Sequence, residues 1–202
     1  DQVVIGRELD AKNIRFRVND RRQIELMNSL LFSMPGTPTI YYGDEIGMGD
    51  DPWLPDRDGV RTPMQWDAGR GAGFTSGEPW IAINPNHDRI NVAAQRDDPG
   101  SVLAHYRRLI ALRKRHEVIV HGRFVPWLED HPQVWAYARE GDNRRLSVLC
   151  NISSDPARAE VPPGLAVRGT GLIATAGPRD AIAPGPILLE PWEAVAVLGA
   201  PG

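Results

Sequence analysis

Between residues 20 and 34, apolar side chains return at the spacing of one helix face. Ile24, Met27, Leu31 and Met34 recur at i, i+3, i+7 and i+10, and Leu26 and Leu30 widen the stripe. Asn19 or Asp20 supplies a short side-chain oxygen to cap the first turn. Pro35-Gly36 ends the helix, because proline cannot continue the ladder and glycine accepts positive φ. Pro38-Thr39-Ile40-Tyr41-Tyr42 is a β-branched and aromatic run bounded by Pro38 and Gly43, which predicts a buried strand of a parallel sheet. Helix, tight turn and strand in that order make half of a βαβ unit. Upstream, Val3-Val4-Ile5 and the alternating Ile14-Arg15-Phe16-Arg17-Val18 predict short strands.

From residue 43 to 100 the pattern dissolves into Gly, Pro, Asp and Asn. Loops far beyond about 15 residues are usually functional or disordered. Trp53, Trp66, Phe74 and Trp80 argue for order, since such side chains need apolar cover. A second helix is predicted over 101–116, capped by Ser101, with Leu103, Tyr106, Leu109 or Ile110 and Arg113 on one face. Arg107, Arg108, Arg113, Lys114 and Arg115 read as a solvated, dipole-favourable basic face.

Beyond Glu117 the texture becomes β. Short runs recur at Val118–Val120, Val134–Ala138, Leu146–Ile152, Leu172–Ala174, Ile187–Leu189 and Ala194–Leu198. Turn residues at 141–143, 162–164 and 184–186 separate them, which predicts a small antiparallel sandwich. Residues 1–117 and 118–202 are therefore the expected domains.

Composition narrows the function classes. Of 202 residues, 42% are apolar and 24% charged, so neither a collagen-like nor a highly charged disordered chain is expected. A net charge of -3 without a basic run argues against a nucleic-acid surface. No apolar run reaches the roughly 20 residues that span a bilayer, so no membrane partner is expected. The single cysteine, Cys150, forms no intrachain disulfide and excludes a Cys-based zinc site. The chain opens on Asp1 rather than Met, as expected of a processed protein or a piece of a longer one. A missing leader then carries no information about location; the expected compartment is the cytoplasm.

The densest polar set follows the predicted strand: Asp44, Glu45, Asp50, Asp51, Asp56, Arg57, Asp58 and Arg61. The C-terminal mouth of a strand is where α/β barrels and open sheets place ligands. Carboxylates and arginines there grip sugar hydroxyls by directional hydrogen bonds, and aromatics stack on sugar faces. The competing reading pairs Arg57 and Arg61 with Asp56 and Asp58 to pin the loop. Asp50 and Asp51 have the chemistry of calcium ligands but no EF-hand spacing, so no cofactor is expected and a structural calcium is not indicated. His87 sits in Asn84-Pro85-Asn86-His87-Asp88, which reads as a turn rather than a catalytic pair.

Three stretches carry a resemblance. They are Tyr41-Tyr42-Gly43-Asp44-Glu45-Ile46-Gly47-Met48, then Asp56 through Arg61-Thr62-Pro63-Met64-Gln65-Trp66, then Ala72-Gly73-Phe74. Together they resemble the α-amylase superfamily of glycoside hydrolases, near its α-glucosidases, oligo-1,6-glucosidases and trehalose synthases. Pro79 through Asn86, Ile90 through Gln95 and Tyr106 through Arg113 look like the α-glucosidase branch, whereas 43–66 leans towards trehalose synthase. The resemblance implies the C-terminal piece of a (β/α)8 TIM barrel, with 20–34 as its seventh helix, 38–42 as its eighth strand and 101–116 as its eighth helix. An antiparallel β-sandwich domain then follows.

The resemblance further implies that the nucleophilic aspartate and general-acid glutamate lie on earlier barrel strands, which would precede Asp1. Residues 1–20 hold no Asn-His-Asp triplet of the kind that carries the third acid, and Asn86-His87-Asp88 falls in the wrong place. No catalytic residue is therefore expected in this chain. Arg61 matches the arginine that contacts the terminal glucose, and Asp58 is a second sugar contact or the partner that orients Arg61.

The expected function is that of a fragment of a retaining α-glucosidase, acting on short oligosaccharides of the maltose, isomaltose or trehalose class and inactive without a missing N-terminal barrel segment. A trehalose synthase fragment is the alternative. A non-catalytic carbohydrate-binding or remnant module is a rival of another class, since an unclosed barrel piece exposes apolar faces.

Overall fold

The structure is a computed structural model that describes residues 21–51, 53–55 and 57–200. The predicted strands before residue 19, the caps Asn19 and Asp20, and Asp56 lie outside the described residues. The described residues divide into two compact units, one holding residues 25–37 and 109–200, the other residues 21–24 and 38–108.

Among the described residues the α-helices are α1 (Arg21–Ser33), α2 (Val92–Gln95), α3 (Val102–Arg115) and α4 (Glu117–His121). Helix α1 forms where the periodicity predicts it and buries Leu26, Leu30, Leu31 and Met34 of the predicted stripe, but the buried face is shifted away from Met27 to take in Ser29 and Ser33. Leu26, Ser29, Leu30 and Ser33 are buried, while Met27 is 38% exposed. The two serines are what mislead the pattern. Ser29 Oγ donates to Glu25 O at 2.6 Å and Ser33 Oγ to Ser29 O, so each hydroxyl is satisfied inside its own helix and is buried at little cost.

In the unit that holds residues 109–200, the strands are β1 (Arg123–Trp127), β2 (Val134–Glu140), β3 (Arg145–Asn151), β4 (Ala157–Val161), β5 (Val167–Ala174), β6 (Ala181–Ile182), β7 (Gly185–Leu189) and β8 (Ala194–Gly199). Six form an antiparallel sheet in the order β1-β2-β3-β8-β5-β6, and β4 pairs with β7. The β2–β3 turn at 141–144 sets the register that places Glu140 opposite Arg145, whose side chains meet at 2.9 Å.

Period-two alternation splits the large sheet into two faces. One face turns Val134, Ala136, Leu149, Val195 and Val197 onto Ala157, Ala159, Val161 and Leu189 of the small sheet, forming one apolar core. The other turns Tyr137, Leu146 and Ala196 towards Phe32, Leu109, Leu112 and Ile119 of the helices. Here Tyr137, fully buried, shares a 2.7 Å hydrogen bond with Ser33 Oγ.

Arg113, on the last turn of α3, is no solvated base. Its guanidinium donates to Phe32 O and Met34 O, each at 3.0 Å, and to Gly36 O. These carbonyls lie at and just beyond the end of α1, where a helix leaves its acceptors unpaired.

Two other expectations are corrected. Pro38–Tyr42 forms no strand. A parallel strand needs neighbours to accept its ladder, and none lies among the described residues; Ile40 and Tyr42 stay 42% and 39% exposed. Val118–Val120 is the middle of helix α4, closed by Ile119 N to His116 O at 2.9 Å and Gly122 N to Val118 O at 3.0 Å. A β-branched run this short takes its conformation from what it packs on.

Candidate functional site

The 43–101 loop belongs to the second unit, and its order comes from amide side chains. The chain reverses at Gly43, whose φ of 89° is left-handed and whose missing Cβ would lie 2.8 Å from Met48 Sδ. Two carboxylates of the polar set are consumed there. Asp44 Oδ2 accepts from Tyr41 N at 3.0 Å and Glu45 Oε2 from Gly43 N at 2.8 Å. Both stand near Tyr106, whose buried hydroxyl is pushed to a high pKa by desolvation and then by their charge. Tyr42 Oη donates to Thr62 O at 3.0 Å, tying the start of the loop to the stretch after Arg61.

Between these ends lies a closed neck. Asp51 N donates to Gly59 O at 3.0 Å, and a Cβ on Gly59 would fall 2.1 Å from Asp51 O, so only glycine fits. Inside it, Leu54 N bonds Asp51 O, Asp58 N bonds Pro55 O, Val60 N bonds Arg57 O and Arg61 N bonds Asp58 O.

Arg61 emerges exposed just beyond the neck, and among the described residues its guanidinium makes no hydrogen bond or ion pair. Asp58, half-buried, meets Arg61 through the backbone, with Arg61 N to Asp58 O at 3.0 Å, and not side chain to side chain. Arg57 is likewise exposed. Among the described residues, then, neither Arg57 nor Arg61 pins the loop by an ion pair with Asp58; Asp56 lies outside them.

The pinning comes from residues that the sequence pattern passed over. Gln65, fully buried, donates Nε2 to Asn86 Oδ1 at 2.9 Å and to Ile90 O at 2.7 Å. Asn84 caps the short turn that contains His87 and reaches Gly49 O at 3.3 Å. Asn91 donates to His87 O at 2.8 Å and caps α2 through Ala94 N. Gln95 bridges Ile46 O at 2.8 Å and Leu103 N at 3.1 Å. Ser101 caps α3 as expected, accepting from Ala104 N at 3.1 Å. Amides do this work well because each offers both a donor and an acceptor without a charge to desolvate. The available signal was amides recurring beside buried apolar residues such as Ile46, Met48 and Met64.

His87 lies in a turn as expected, with Nδ1 3.1 Å from Asn84 O, and Asp88 pairs with Arg89 at 3.6 Å. The aromatic expectation is corrected. Trp53 and Trp80 are 88% and 89% exposed, Phe74 53% and Trp66 49%, so burial of these four aromatics is not what orders the loop. Among the described residues no three His, Cys, Asp or Glu side chains gather where a metal ion could be held. No helix among them is long and apolar enough to cross a membrane.

Residues 8–122 match the family model "Alpha amylase, catalytic domain", and the chain belongs to that family. It is 35% identical to an oligo-1,6-glucosidase of Parageobacillus thermoglucosidasius over 89% of this chain and 38% of that protein. It is 46% identical to the trehalose synthase/amylase TreS of Mycobacterium tuberculosis over 71% of this chain and 26% of that one. Among solved structures, the trehalulose synthase MutB of Pseudomonas mesoacidophila superposes with a TM-score of 0.79 at 29% identity, covering 88% of this chain and 39% of that one. The chain thus spans less than two fifths of the length of these relatives.

Proposed function

We propose that this chain is the C-terminal part of a retaining α-glucosidase that acts on the terminal α-linked glucose of short oligosaccharides. The observation that carries this reading is Arg61, exposed and unpaired among the described residues at the base of the neck-closed loop. Its planar fork of donors suits vicinal hydroxyls and exchanges no proton. Asp58 stands beside it as a second acceptor for sugar hydroxyls. In such a reaction one carboxylate forms a glucosyl-enzyme intermediate and a carboxylic acid protonates the leaving oxygen. In this reading both belong to polypeptide outside this chain, which supplies part of the pocket wall and no cofactor.

The architecture proposed with it is a TIM-barrel portion over residues 1–117 followed by an antiparallel β-sandwich over 118–202. The family match ends at residue 122, one residue before β1, which supports that division. The purified chain is expected to release no glucose from maltose or p-nitrophenyl α-glucoside. Measurable turnover would refute the assignment of the reacting carboxylates to other polypeptide.

A trehalose synthase is the second reading, favoured by the higher identity to the TreS proteins over the part they share. Maltose given to the enzyme that carries this chain separates the two: a hydrolase yields glucose alone, an isomerase yields trehalose.

A further inference from the structure

We infer that Arg139 seats a small inorganic anion of the halide class, buried between the large sheet and the helices of the unit that holds residues 109–200. Arg139 lies on β2, opposite Phe124 of β1 and Leu146 of β3. Its side chain points to the helices, where Nη2 donates to Val120 O of α4 at 3.3 Å. It is 1% exposed, the bulkiest of the fully buried side chains among the described residues. That one carbonyl is all it finds. The Nε and Nη1 donors have no acceptor. Among the described residues no carboxylate pairs with it, and the neighbouring Glu140 is taken by Arg123 and Arg145.

The charge, more than the free donors, identifies the missing group. A guanidinium keeps its proton at any ordinary pH, so Arg139 cannot escape burial by becoming neutral. Desolvation works against the charge, and Arg113 on α3 adds a second positive charge that works the same way. Arg113 is compensated by three carbonyls at the end of α1; Arg139 has one. Tyr137 supplies no counter-charge, since its hydroxyl is kept neutral by burial and shares its hydrogen bond with Ser33. A water molecule would meet the free N–H groups and leave the charge unpaired, whereas an anion meets both needs. The surroundings set its size. Phe124 and Leu146 flank Arg139 on the sheet, and Phe32, Leu112 and Ile119 close the space between helices and sheet with apolar groups. A compact monovalent ion fits that setting. Sulfate or phosphate would bury further oxygens without donors.

The test uses the enzyme that carries this chain, freed of halide by dialysis and returned to sodium chloride, sodium bromide or sodium gluconate at one ionic strength. Screening is then equal, and a difference in Tm reports a bound ion. Chloride and bromide are expected to raise Tm above its value in gluconate by about 2 °C or more, saturating with halide concentration. Arg139→Met removes the charge and keeps a long side chain, and is expected to abolish the difference. Should that variant fail to fold, crystals of the unsubstituted enzyme in bromide decide the matter: an anomalous peak is expected within about 3.5 Å of a guanidinium nitrogen of Arg139. Equal Tm in the three salts, a halide effect that survives Arg139→Met, or a water at Arg139 with bromide only at other positions overturns the inference.

Discussion

Gln65 and Asn86 are joined side chain to side chain, Nε2 to Oδ1 at 2.9 Å, across a loop with no strand among its described residues. The same nitrogen reaches Ile90 O at 2.7 Å, and Val92 N returns to Gln65 O at 3.0 Å. One buried amide therefore holds the stretch after Arg61 against the stretch that leads into α2.

Replacing that donor tests how the loop is held. Gln65→Met keeps the volume and removes both bonds, leaving Asn86 Oδ1 and Ile90 O without their donor. The expected loss is about 2–4 kcal/mol in urea unfolding. Gln65→Glu is expected to cost more, because Gln65 Oε1 already lacks a partner and a carboxylate there faces two acceptors with no donor to offer. Equal behaviour of the two variants would show that shape, not the donor, is what matters.

Arg113 offers a second stability test. Its three carbonyl partners lie at the end of α1, and burial lowers its pKa without discharging it. Arg113→Met is expected to cost about 2–3 kcal/mol by unpairing those acceptors, measured by chemical denaturation. Arg113→Lys is expected to recover less than half, since an ammonium is compact and cannot reproduce the fork.

How far these features were legible in the sequence follows from what a pattern can encode. Helices α1 and α3 emerged from periodicity and from Ser101 as a cap, and most of the β runs from their turns. The eighth-strand run at 38–42 did not behave as a strand, because a ladder is a property of neighbours and not of the run itself. Most of the face of α1 was read correctly, but Ser29 and Ser33 were missed because they score as polar although their hydroxyls are spent within the helix. Arg113 was read as a solvated base, since a long-range bond to carbonyls some 80 positions away leaves no local mark. Arg61 was singled out by its motif, whereas the amides that hold its loop were hidden among ordinary turn residues.

Cys150 and Tyr137 set the alkaline limit. Both are fully buried, and burial pushes both groups well above their ordinary pKa values. Unfolded Cys loses its proton near pH 8.5, so above that the unfolded state binds fewer protons than the folded one. The stability contribution is complete below pH 8.5 and is lost as pH rises towards the folded value, at about 1.4 kcal/mol per unit for one group. Cys150→Ala is expected to flatten the decline between pH 9 and 10, followed by denaturant midpoints. The native thiol is also expected to resist iodoacetamide at pH 8 and to react at once in denaturant.

Arg61 carries the functional prediction. If its exposed fork holds two hydroxyls of the terminal glucose, removing it weakens binding that persists into the transition state, where the ring flattens and charge develops. In the enzyme that carries this chain, Arg61→Ala is expected to lower kcat/KM on maltose by about a hundredfold or more, with α-glucosyl fluoride falling in parallel because both substrates share that ring. Arg61→Lys is expected to restore little, since one ammonium cannot bridge a vicinal pair of hydroxyls with fixed geometry. Unfolding midpoints are expected to stay at the unsubstituted value, because the guanidinium has no partner among the described residues to lose. Full activity in Arg61→Ala would instead move the glucose contact to another residue and leave the neck-closed loop as a structural feature alone.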